Sequence, residues 1–144
     1  MDSATAPARS LWRCPKCGRS YANRNQSHSC GRYSVNGYLK GKSPEAIELF
    51  HRFSAMVADC GPFIYAPAGT RIGFQVRMIF SAIMLNKTEL RGHVVLARRL
   101  ENLRFTKIEF VSPGNQVHHF RILQASELDA EVMAWLREAY LVGC

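Results

Sequence analysis

A chain of 144 residues, 47% hydrophobic and 21% charged, has enough apolar surface to bury one core, which excludes wholesale disorder and leaves space for one domain plus a short module. Its formal net charge of +8, from 19 Lys and Arg against 11 Asp and Glu, makes a polyanion the natural partner. Nucleic acid comes first and an acidic protein second, with a merely solvated basic surface as the plain alternative.

Residues 1 to 10 are small and polar and are expected to form a flexible arm. They hold no apolar core of the kind a signal peptide needs. The longest apolar stretch, Met78 to Leu85, is interrupted by Ser81 and is too short to span a bilayer, so the expected compartment is cytoplasmic.

A zinc-finger-like module is expected over residues 11 to 36. Cys14, Cys17, His28 and Cys30 put three thiols and one imidazole within seventeen residues. A Cys-x-x-Cys turn grips one ion, and His28 and Cys30, two apart on extended chain, point the same way. The simplest occupant is one tetrahedral Zn2+. Four protein ligands leave no open position, so the ion is structural and activates no water. Trp12 and Tyr21 either pack over the thiolates as a miniature core or stack on unpaired bases. Five cysteines, three of them at ligand spacing, suit a reducing compartment better than a disulfide framework.

The charge is concentrated here. Residues 1 to 42 carry eight Lys or Arg against the single acid Asp2, while residues 43 to 144 carry eleven against ten acids. Arg13, Lys16, Arg19, Arg24 and Arg32 are the candidate nucleic-acid contacts.

Residues 37 to 144 are expected to form one α+β domain: a mainly antiparallel sheet of about five strands flanked by two helices. Tyr33 to Lys42, with Gly37 and Gly41, has the composition of a connector. Ser43-Pro44-Glu45 starts a helix as N-cap, first-turn proline and first-turn acid, with Ile47, Phe50, Phe53, Val57 and Cys60 as its buried stripe and Gly61-Pro62 as its stop. Phe63 to Ala66 is a short strand. Ile72, Phe74, Val76, Met78 and Phe80 then alternate with Arg71, Gly73, Gln75 and Arg77, which predicts one continuous strand with two arginines on its polar face. His93 to Ala97 is an apolar run suited to a central strand. Thr106 to Phe110 and Val117 to Leu123 flank the turn residues Ser112-Pro-Gly-Asn115 and predict a hairpin. Ser126 to Asp129 opens a closing helix whose inward stripe is Leu128, Val132, Trp135, Leu136 and Ala139.

Outside the zinc ligands, the chemistry-bearing residues are Arg71, Gln75, Arg77, His118, His119 and Arg121. Guanidinium forks match phosphate and carboxylate oxygens, so a sheet face carrying these groups would bind an anionic ligand. On the strand pattern His118 lies with Phe120 and Ile122, as a hydrogen-bonded core histidine would, whereas His119 lies with Arg121. The competing reading is a charged face turned to water or pinned by Glu109. No nucleophile elbow, phosphate-binding glycine loop or H-E-x-x-H helix occurs.

Several segments together resemble one bacterial family of uncharacterised proteins, domain of unknown function 5655. They are Trp-Arg-Cys-Pro-Lys-Cys-Gly-Arg at 12–19, Asn-Gln-Ser-His-Ser-Cys-Gly at 25–31, Gly-Lys-Ser-Pro-Glu at 41–45, Thr-Arg-Ile-Gly-Phe-Gln-Val-Arg-Met-Ile-Phe at 70–80, Val-His-His-Phe at 117–120 and Trp-Leu-Arg-Glu-Ala-Tyr at 135–140. The resemblance implies that Cys14, Cys17, His28 and Cys30 act as one unit and that Arg71, Arg77, His118 and His119 belong to the family pattern. It implies no activity and no substrate, although some relatives resemble fusions to nuclease-like or other nucleic-acid modules.

The leading expectation is therefore a small zinc-binding protein whose basic N-terminal module contacts nucleic acid. The alternatives are an anionic-ligand binder or enzyme using the Arg/His sheet face, and a protein-interaction adaptor.

Overall fold

The computed structural model describes residues 11–15, 20–21 and 33–144. It opens with two short antiparallel strands, β1 (Trp12–Arg13) and β2 (Ser20–Tyr21), with Arg13 opposite Ser20. Where the composition predicts a connector, a short helix α1 (Val35–Leu39) forms, because Ser34 supplies an N-cap that accepts from the Gly37 N–H at 2.9 Å.

Helix α2 (Pro44–Cys60) begins and ends as expected, with Ser43 accepting from the Ala46 N–H and the chain turning at Gly61. Its buried stripe is Ala46, Leu49, Phe50, Phe53, Ser54 and Val57. Ile47 and Cys60 lie at the margins of that stripe, half-buried, because the helix is rotated slightly from the predicted face.

The main sheet has six strands: β3 (Ile64–Pro67), β4 (Ile72–Gln75), β5 (Ile79–Leu85), β6 (Leu90–Leu96), β7 (Phe105–Ser112) and β8 (Asn115–Ile122). Their order is β3-β4-β5-β6-β8-β7, and every neighbouring pair is antiparallel. The long strand predicted over residues 72 to 80 is in fact a hairpin. β4 ends at Gln75, residues 76 to 78 turn, and the Arg77 and Met78 N–H groups each donate to the Gly143 carbonyl at 2.9 Å. A three-residue turn preserves period-2 alternation in the sequence, so the pattern conceals the break and the strand count rises by one. β6 contains residues 93 to 96 of the predicted apolar run, with Ala97 outside it, but it alternates: Leu90, Gly92, Val94 and Leu96 are buried and Arg91 is exposed.

After a single 3-10 turn (Ala125–Glu127), α3 (Ala130–Gly143) starts at Asp129, whose carboxylate accepts from the Val132 N–H at 3.2 Å. Val132, Trp135, Leu136 and Ala139 face inward as predicted. Both long helices cover the same side of the sheet, so the fold is an α+β layer of three helices with a six-stranded antiparallel sheet. Phe53 of α2 occupies the centre, 5.4 Å from the Phe74 ring and stacked 6.2 Å from Phe120. Each such buried side chain contributes roughly 1.5–3 kcal/mol through loss of apolar surface to water. Arg104, between β6 and β7, binds Asp129 and Glu131 at 3.0 Å each and lies 5.1 Å from the Trp135 ring, tying that loop to the start of α3. Among the described residues, no helix is long and apolar enough to cross a membrane.

Candidate anion-binding face

The strand registers sort the side chains into two faces. Gly73, Ala82, His93, His119 and Lys107 form one cross-strand row, and Met84, Arg91 and Arg121 form the next. These positions alternate with the buried Ile72, Ile83, Leu90, Val94, Phe120 and Ile122, so they face away from α2 and α3. Arg71, one residue before Ile72, shares their parity and is exposed. The sheet thus gathers four permanent cations, Arg71, Arg91, Lys107 and Arg121, with two histidines on its helix-free side.

Two carboxylates offset part of this charge. Glu89 accepts from Arg91 Nε at 2.5 Å and from Arg121 at 2.8 Å, and those two hydrogen bonds hold its carboxyl at about 2. Glu109 lies 2.6 Å from His119 Nε2 and 3.3 Å from the Lys107 ammonium, and is also held below the ordinary carboxylate range, chiefly by His119. An ionised carboxylate only accepts, so His119 donates its Nε2–H, leaving Nδ1 as the ring's other contact. His93 stands beside it, with ring centroids 5.6 Å apart and planes at 65°. Burial, followed by the charges of His119 and Arg71, pushes His93 down to about 4, so it is neutral at pH 7. On the helical side Glu138 takes Arg98 at 2.9 and 3.0 Å, and Asp129 and Glu131 share Arg104.

The residues singled out from the sequence do not all meet here. Arg71, His119 and Arg121 do. Gln75 is on this side but only 1% exposed, donating its Nε2–H to the Ser20 carbonyl at 3.0 Å. Arg77 sits in the β4–β5 turn, because the predicted strand breaks there, and its Nε is buried without a hydrogen-bond partner. His118 is fully buried in the core: its Nε2 accepts from the Leu100 N–H at 2.9 Å and its Nδ1 donates to the Gln116 carbonyl at 2.9 Å. Both nitrogens are used by main chain, and burial lowers its pKa, so it is a neutral packing residue.

Of the expected zinc ligands only Cys14 lies among the described residues, buried at the end of β1. Cys14 directly follows β1, whose Arg13 pairs with Ser20 of β2. Cys17, His28 and Cys30 lie outside the described residues, as do Lys16, Arg19, Arg24 and Arg32. Arg13, in β1, is exposed. Among the described residues, no group of three or more His, Cys, Asp or Glu is placed to hold a metal ion.

The Gln75–Ser20 hydrogen bond also seats the N-terminal hairpin on the helix-free side of the sheet. Gly73 and Ala82, small residues on that side, are buried with Gln75. A Cβ at Gly73 would lie 3.3 Å from Ala66 Cβ and 3.4 Å from Ile79 Cδ1, so this part of the sheet is closely packed.

Sequence reasoning missed His93, Arg91 and Glu89. The signal was present: Leu90, Gly92, Val94 and Leu96 alternate with Arg91, His93 and Val95, a strand with one apolar face, but the apolar character of residues 94 to 97 masks it.

No curated protein and no solved structure matches the chain. The family model described as Domain of unknown function (DUF5655) matches residues 35–143, from the first residue of α1 to the last of α3. With the match spanning every element of the α+β layer, the chain belongs to the DUF5655 family.

Proposed function

We propose that this protein binds nucleic acid along the helix-free side of its sheet, with a zinc-stapled basic N-terminal module extending the same surface. The observation that carries this reading is the hydrogen bond from Gln75 Nε2 to the Ser20 carbonyl, which sets the hairpin bearing Arg13 and Cys14 on the side where Arg71, Arg91, Arg121 and Lys107 are gathered. Guanidinium and ammonium groups in excess over carboxylates on one side attract a phosphate chain, while the His93 and His119 rings and Met84 offer contacts to sugars and bases. Zn2+ bound by Cys14, Cys17, His28 and Cys30 would supply folding energy to a module too small to bury a core of its own.

The test is a fluorescence titration of a single-stranded oligonucleotide at several salt concentrations, beside elemental analysis of the same preparation. Affinity is expected to fall steeply with salt, by a slope of about −0.7 per neutralised phosphate, and Arg71→Gln is expected to reduce that slope by about one contact. One zinc per chain is expected, with Cys14→Ser or chelation melting the module first. Salt-independent binding, or none, overturns the nucleic-acid reading; metal-free protein with unchanged melting overturns the zinc.

The Glu109–His119 pair favours a second reading, in which the face acts chemically on its ligand. A carboxylate that orients an imidazole prepares it as a general base toward a hydroxyl or water. Turnover of a bound oligonucleotide that disappears in His119→Ala, with binding retained, would support it; intact oligonucleotide after prolonged incubation rejects it.

A further inference from the structure

A second cationic feature adjoins this face at Met84, where the α1–α2 connection approaches the β5–β6 turn. Gly41, Lys42 and Ser43 form one wall and Leu85, Asn86 and Lys87 the other of an open surface groove of about 450 Å³. A second lobe of about 350 Å³ shares Lys42, Leu85 and Asn86 and continues past Tyr38, Lys40, Thr70 and Met84. Both volumes fall in the ~300–1,000 Å³ range of small-molecule sites.

We propose that this groove binds a compact polyphosphate group. Three lysines line it, and no acidic residue does among the described residues. Lys40 and Lys87 make no ion pair among the described residues, while Lys42, at the junction of the lobes, is already oriented: its Nζ donates to the Leu85 carbonyl at 3.4 Å and lies 4.7 Å from the centre of the Tyr38 ring. Asn86 reaches Glu89 at 3.3 Å, but that carboxylate is occupied by Arg91 and Arg121. Ammonium groups act as point charges toward phosphate oxygens, and three spread over two adjoining lobes match adjacent phosphates better than a single one.

The walls are held in place without a ligand. Ser43 Oγ donates to the Lys87 carbonyl at 2.8 Å, Tyr38 Oη donates to the Thr70 carbonyl at 3.1 Å, and the Leu85 N–H donates to Tyr38 Oη at 2.9 Å. Binding therefore requires little ordering of the chain. Gly41 takes φ +84°, a left-handed turn that glycine adopts without strain, and a Cβ there would meet nothing within 4 Å. At the start of α2, Pro44 has no N–H and Ser43 Oγ already accepts that of Ala46, so the anion contacts are assigned to the lysines.

The proposal stands apart from the nucleic-acid reading, and its test separates them. The full chain is titrated at low ionic strength with inorganic pyrophosphate, ATP and adenosine by calorimetry, for the native protein, Lys40→Gln/Lys87→Gln and Arg71→Gln/Arg91→Gln. Pyrophosphate is expected to bind the native protein, at least tenfold more weakly to the lysine variant, and within twofold of native to the arginine variant; thermal melting confirms that both variants are folded. Equal affinities for pyrophosphate and ATP assign the groove to the phosphate chain alone, and tighter ATP binding assigns it to a nucleotide. Absence of pyrophosphate and ATP binding, adenosine binding as tight as ATP, or loss only in the arginine variant overturns the proposal.

Discussion

His93 and His119 sit directly opposite each other on β6 and β8, their rings edge to face at 5.6 Å, with Glu109 hydrogen-bonded to the outer of the two. The inner ring is partly buried, and charging it would place a cation against His119 and Arg71. The pair is therefore asymmetric: one imidazole is linked to a carboxylate and the other is kept neutral.

That asymmetry predicts a pH dependence of stability. Unfolded His93 titrates near the ordinary value of 6.5 and folded His93 near 4, so between these values the unfolded chain binds the extra proton. The contribution is complete above pH 6.5 and is lost as pH falls toward 4, by about 2–3 kcal/mol at roughly 1.36 kcal/mol per unit. Urea unfolding at pH 7, 5 and 4 is expected to show this fall in the native protein and a smaller one in His93→Gln. Parallel curves would contradict it.

Glu89 predicts a second, more acidic limb. Its folded carboxyl titrates at about 2 against an ordinary 4.5, so its contribution is present above pH 4.5 and disappears as pH falls through 2. Glu89→Gln is expected to cost about 1–2 kcal/mol at pH 7, because Arg91 and Arg121 lose a shared acceptor while remaining half-exposed. The same substitution should flatten the stability curve below pH 4.5.

The neighbours His118 and His119 should behave oppositely. His118→Ala removes the acceptor of the part-buried Leu100 N–H and opens a cavity beside Phe105, whose ring centroid is 4.9 Å away. A loss of about 2–4 kcal/mol is expected, with oligonucleotide affinity unchanged at temperatures where the variant is folded. His119→Ala is expected to cost less than about 1 kcal/mol, and to weaken oligonucleotide binding if the ring is a contact or leave binding intact if it acts chemically. Chemical denaturation with the same binding titration distinguishes the two.

At the end of α2, Gly61 has φ +146° and a Cβ there would lie 2.5 Å from Tyr140 Oη, which donates to the Pro62 carbonyl at 2.6 Å. Gly61→Ala is expected to destabilise by about 2 kcal/mol or more through backbone strain and this clash. Replacing Tyr140 by Phe in the same chain removes the clashing oxygen and leaves the Cζ contact at 2.9 Å, so the double variant should be more stable than the two single effects added, by up to about 1 kcal/mol in a double-mutant cycle.

The composition and local patterns of this chain were sufficient for the α+β class, the boundaries of α2, the β7–β8 hairpin, the inward stripe of α3 and the core placement of Phe50, Phe53, Phe74 and Phe120. These follow from period, caps and turn residues, which act over a few residues and are written locally. The family followed from the wording of the segments between residues 41 and 140, which fall inside the match over 35–143, whereas the segments at 12–19 and 25–31 lie outside it. Tertiary structure alone decided the rest. The break at residues 76 to 78 depends on the Gly143 carbonyl at the far end of the chain, and the sheet order that puts β8 between β6 and β7 is what brings His93 to His119 and Glu89 to Arg121. Which cations remain unneutralised, and which groove the lysines line, are sums over contacts between distant segments. A linear pattern carries the sign of each charge but not its neighbours.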